Sequence, residues 1–254
     1  MKKYMFFATL TCVFFGLGAC KSSYSIDSIS RSRILIDNRY DTAIDSDLNT
    51  LMRPYKAKVD SIMSPFLGIS QKAMEAHQPE SELSNLLADI MVWGAKQYGE
   101  TVDFGVYNMG GIRASLPKGR ITYGDILEVA PFENKICFLT LTGSKVLQLF
   151  KEIAHNGGEG VSGGVRLVIT KNGELKTAKL HGQEIDPNKN YRIATLDYVA
   201  NANDKMNAFK AKTNLNAPQG EKNNTRFIIV DYIKEQTKEN RPIDANIEGR
   251  IVIE

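Results

Sequence analysis

The chain has 254 residues, with 32 basic against 29 acidic side chains and a formal net charge of +3. That length carries one large domain or two small ones with a self-supporting core, while the near-balance of charge falls short of a nucleic-acid footprint. No basic helix, interleaved aromatic stripe or internal repeat is present, so nucleic acid is excluded as a partner.

At the N-terminus, Lys2 and Lys3 precede an apolar run from Tyr4 to Gly16, too short and wrongly flanked for a spanning helix but suited to a secretory signal. Small residues then lead into Leu17-Gly18-Ala19-Cys20, which resembles a bacterial lipobox. The resemblance implies cleavage before Cys20 and lipidation of its thiol; the alternative is an ordinary signal peptide cut nearby. Residues 1–20 are therefore expected to be a lipoprotein signal peptide and the serine-rich residues 21–33 a tether, so that the mature chain is exported and anchored to a membrane. Cys12 would be removed and Cys20 acylated, which leaves Cys137 without a disulfide partner.

Helical and strand-like segments alternate from there on, which predicts an α/β or α+β build, a mixed sheet flanked by helices. Residues 45–63 place Leu48, Leu51, Met52, Tyr55, Val59, Ile62 and Met63 at helical spacing, with Pro54 expected to break or kink the helix. Leu83, Leu86, Leu87, Ile90 and Met91 mark a second amphipathic helix that stops by Gly99, followed by a strand from Val102 to Tyr107. Ile136–Thr142 reads as a strand, after which Ser144 is expected to cap a helix burying Val146, Leu147, Phe150, Ile153 and Ala154. Val165–Thr170 and Leu175–Leu180 form a hairpin through Lys171-Asn172-Gly173-Glu174, and a turn at Asp186-Pro187-Asn188 leads into a strand from Tyr191 to Thr195. Residues 211–224 read as a solvated loop, Thr225 as the cap of a helix carrying Phe227, Ile228, Asp231 and Tyr232, and Arg250–Ile253 as a closing strand.

Three stretches carry chemistry. Asn108-Met109-Gly110-Gly111-Ile112-Arg113 follows a strand directly; adjacent glycines let the backbone approach a ligand, and the amide and guanidinium supply directional donors. The same residues also fit a tight turn with Arg113 as a solvated charge. Pro131-Phe132-Glu133-Asn134 sets an aromatic ring in a turn, and Tyr198 precedes Asn201-Ala202-Asn203-Asp204. Two rings on separate loops can sandwich a flat base while an aspartate accepts from both ribose hydroxyls; taken singly, Phe132 is more often a loop anchor and Tyr198 a core edge.

Taken together and in this order, Asn108-x-Gly-Gly-Ile-Arg113, Pro131-Phe132-x-Asn134, Val161-Ser162-Gly163-Gly164 and the segment from Thr195 to Asp204 resemble the C-terminal domain of the 5'-nucleotidases, over residues 34–254. The resemblance implies a substrate site made of Asn108, Gly110, Gly111, Arg113, Phe132, Asn134, Gly163, Tyr198 and Asp204, with Phe132 and Tyr198 stacking on the base and Asp204 holding the ribose. It also marks departures. The arginine usual before the helix at Leu83 is absent from His77-Gln78-Pro79-Glu80-Ser81, Tyr198 stands for the usual phenylalanine, and an Asn-Gly-Gly-Asp-Gly run becomes Asn201-Ala202-Asn203-Asp204-Lys205.

The family's catalytic part is a two-metal phosphoesterase, whose site needs several His, Asp and Asn ligands. The only histidines, His77, His155 and His181, are scattered, with no Asp-x-His and no Gly-Asn-His-Glu. The expectation is a nucleotide- or nucleoside-binding component of a 5'-nucleotidase system, without catalytic residues or cofactors of its own, whose divalent metals sit on a separate metallophosphoesterase chain. The alternative is a non-enzymatic nucleoside-binding or scaffold lipoprotein.

Overall fold

A computed structural model describes residues 24–40 and 45–254; Cys20 and the expected signal peptide lie outside them. The chain divides into two units, one ending at Leu51 and one running from Met52 to Glu254. In the first, an exposed extended stretch carries a short 3-10 turn, Asn38–Tyr40.

Helix α1 spans Ser46–Met63 and runs through Pro54 without a break, because a proline removes one backbone bond but already holds a helical φ. Its apolar stripe is exposed along its length, from Leu48 to Ile62, so helical spacing here marks a face and not a buried contact. Next come β1 (Phe66–Ser70), α2 (Glu82–Ala95), β2 (Phe104–Tyr107), β3 (Gly119–Thr122) and α3 (Tyr123–Val129). Capping boxes start both later helices: Ser81 with Ser84 for α2, and Thr122 with Asp125 for α3. The second half holds β4 (Ile136–Thr142), α4 (Gly143–His155), β5 (Gly160–Val161), β6 (Val165–Ile169), β7 (Leu175–Leu180), β8 (Gln183–Glu184), β9 (Asn190–Leu196), α5 (Asp197–Ala200), β10 (Thr213–Asn216), α6 (Thr225–Lys238) and β11 (Ile251–Ile253).

Three expectations about these elements are corrected. Ser144 does not cap α4: Thr142 holds the cap position, while the Ser144 hydroxyl donates to the Pro187 carbonyl, and Leu149 takes the buried place expected for Leu147. Thr225 does not cap α6; the Asn224 side chain accepts from the Arg226 N–H, and Thr225 is the first helical residue. The loop at 211–224 contributes the edge strand β10, which pairs with β4.

The sheets are mixed. The largest has the order β10-β4-β9-β2-β5, a second β11-β6-β7-β8, and β1 pairs with β3 alone. Strand β4 lies inside the first, and its first six residues are buried, so both of its faces are covered. Helix α2 packs on β2, where a Cβ on Gly105 would lie 2.6 Å from the Ala88 carbonyl oxygen; only glycine lets them approach so closely.

The strand order brings three loops together. Strand β2 runs parallel to β9, with Phe104 opposite Ile193, and β4 runs antiparallel to β9, with Ile136 opposite Leu196. The chain leaving β2, the chain leaving β9 and the chain entering β4 therefore meet at one end of the sheet. These are the segments that carry Asn108, Tyr198 and Phe132.

Candidate functional site

At that end of the sheet, Asn108, Gly110, Gly111, Phe132, Asn134, Tyr198 and Asp204 line one open cleft of about 170 Å³. Phe132 and Tyr198 are 46% and 40% exposed, so neither ring is buried in the core. Exposed aromatic rings that share a cleft with a carboxylate suit a flat ring bearing hydroxyls.

The polar groups form a connected set. Asn108, almost fully buried, donates through Nδ2 to Asp204 Oδ2 at 2.5 Å, and the Tyr198 hydroxyl donates to Asp204 Oδ1 at 3.1 Å. Asn108 Oδ1 is buried with no donor among the described residues. A Cβ on Gly111 would lie 2.7 Å from that oxygen, so the second glycine of the pair is fixed by packing against Asn108. Asp197 ties two walls together by accepting from the N–H groups of Lys135 and Tyr198.

Two expected site residues fall outside the cleft lining. Arg113 is exposed, and its Nη1 lies 3.5 Å from the Gly110 carbonyl. Gly163 sits beyond the end of β5, where its N–H donates to Asp89 and its neighbours are Asp89 and Arg250. The Val161-Ser162-Gly163-Gly164 stretch is structural: Ser162 Oγ accepts from the Gly105 N–H and so pins β2.

The loop after Tyr198 keeps its tight course without glycines. Ala202 and Lys205, which stand where the resemblance implied glycine, have φ of 63° and 61°, and Asp204 has 51°. Each non-glycine residue held there costs roughly 1–2 kcal/mol. The Asn156 side chain braces this loop by donating to the Asp204 carbonyl at 2.8 Å.

Sequence reasoning missed the supporting residues. Glu159, buried behind the cleft, accepts from the Met109 N–H at 2.6 Å and from Asn156 Nδ2 at 3.1 Å, so it joins the Gly-Gly turn to the brace on Asp204. Burial pushes its carboxyl up to about 7; the two donors oppose that shift and the nearby Asp204 charge adds to it. A signal was available, because Asn156-Gly157-Gly158-Glu159 repeats the pattern of polar residues framing a glycine pair, and both glycines have positive φ. Arg226 is buried at the start of α6 and donates to the carbonyls of Ala130 at 3.0 Å and Pro131 at 2.7 Å, which fixes the loop bearing Phe132. Among the described residues no three His, Cys, Asp or Glu side chains are grouped to hold a metal ion.

Residues 58–211 match the family model described as "5'-nucleotidase, C-terminal domain". The chain is 28% identical over 200 residues to the silent protein UshA(0) of Salmonella typhimurium, covering 77% of this chain and 35% of that protein. It is 26% identical over 235 residues to the 5'-nucleotidase of Vibrio vulnificus, covering 89% and 40%. The fold is similar to the crystal structure of the 5'-nucleotidase precursor from Thermus thermophilus, with a TM-score of 0.69, 24% identity and coverage of 84% of this chain and 44% of that one. The chain thus spans little more than a third of the length of the curated relatives it matches.

Proposed function

Because the chain belongs to the 5'-nucleotidase C-terminal domain family, we propose that it is the substrate-binding component of a nucleotide-hydrolysing system. It grips a nucleotide or nucleoside by base and ribose, while a separate metallophosphoesterase chain carries the divalent metals and the chemistry. The observation that supports this reading best is the convergence of Phe132, Tyr198 and Asp204 on one cleft. The rings stack on the base, Asp204 accepts from the ribose hydroxyls, and Arg113 reaches the phosphate. The chain acts outside the cytoplasm, held to a membrane by a lipid on Cys20.

The division of labour is tested by phosphate release from AMP in the presence of a divalent metal. Mixing this chain with a separately purified metallophosphoesterase that lacks this domain should release phosphate, and neither chain alone should do so at a comparable rate. A metallophosphoesterase equally active without this chain would overturn the proposal.

A further inference from the structure

Both oxygens of the Asp204 carboxylate are engaged: Oδ2 by the Asn108 amide, and Oδ1 by the hydroxyl of Tyr198. The two donors differ in what holds them. Asn108 is buried and packed against Gly111, whereas Tyr198 is 40% exposed, and among the described residues its hydroxyl bonds to Asp204 alone. The Asp204 backbone is fixed separately, by Asn156 and by the turn itself, so the phenol is not needed to place the carboxylate. The bond to Asp204, above all, also raises the Tyr198 phenol above its ordinary value, so the hydroxyl keeps its proton and stays a donor.

We infer that Tyr198 is a specificity-determining residue whose hydroxyl competes with a ribose hydroxyl for Asp204 Oδ1, so that the site discriminates weakly between ribosyl ligands and ligands lacking ribose hydroxyls. This rests on the nucleoside reading of the cleft and adds to it the residue that sets sugar selectivity. The phenol ring stacks on the base in either case; only its oxygen competes. A hydrogen bond to a charged acceptor is worth enough that removing the competitor changes the selectivity by about tenfold.

The test is calorimetric titration of the full chain and of Tyr198→Phe with adenosine and with 2',3'-dideoxyadenosine, after thermal melts establish that the variant is folded. The ratio of adenosine affinity to dideoxyadenosine affinity should be about tenfold higher in Tyr198→Phe than in the parent chain. An unchanged or smaller ratio in Tyr198→Phe would overturn the inference while leaving the nucleoside reading intact. No heat from either nucleoside with either protein would overturn both.

Discussion

Replacing Arg226 with methionine should lower the unfolding free energy by about 3 kcal/mol and weaken adenosine binding at the same time. The guanidinium is buried and gives three hydrogen bonds to the backbone of the loop, at Ala130, Pro131 and, at 3.5 Å, Phe132. Methionine fills a similar volume but donates nothing, so the Ala130 carbonyl is left buried without that partner and the loop loses its hold on α6. Phe132 lies next on that loop, so its ring is no longer held in the cleft. Urea unfolding reads the first effect as a lower midpoint at constant m, and titration with adenosine reads the second. A variant of parental stability would show that the loop is held by other contacts, chief among them the Thr225 N–H to the Asn134 carbonyl.

The second large effect is one of pH and comes from Glu159. Its carboxyl, at about 7 in the folded chain, lies above the ordinary 4.5 that it regains on unfolding. Between those values the folded state binds a proton that the unfolded state does not, so the stability from this group is complete below about pH 4.5 and is lost as the pH rises through 7. The full change is about 3 kcal/mol. Glu159→Gln removes the titration but keeps the shape, and the parent should lose about that amount relative to the variant between pH 4.5 and pH 8 in urea unfolding. A difference that stays constant with pH would place the ionisation of Glu159 in the ordinary carboxylate range. Ionisation above pH 7 puts a second negative charge behind the cleft, close to that of Asp204 in it, and Asn156 bridges both loops between them.

The residues that line the cleft were legible in the sequence; of those that hold them, Glu159 has a local signal and Arg226 has none. Asn108, Phe132, Tyr198 and Asp204 stand in short local patterns, since a side chain presented to a ligand needs a turn, and a turn leaves glycine, proline and asparagine in the sequence. Arg226 acts on carbonyls some 95 residues away, and no local period or spacing marks such a pairing. Gly163 shows the converse: a glycine-rich stretch in a site-like motif serves the packing of β2 against β5 through Ser162. Helix α1 makes the same point about periodicity, because its apolar spacing was plain while its exposure was not. The parallel pairing of β2 with β9, which brings the three loops together, depends on strands far apart in the chain and becomes visible only in the folded sheet.

The proposed recognition of a nucleoside requires a base lying against both aromatic rings, and a crystal structure of the chain with adenosine tests that directly. It should place the base in contact with Phe132 and Tyr198 and the ribose hydroxyls within hydrogen-bond distance of Asp204. Adenosine bound elsewhere, or a cleft that stays empty at saturating adenosine, would contradict it.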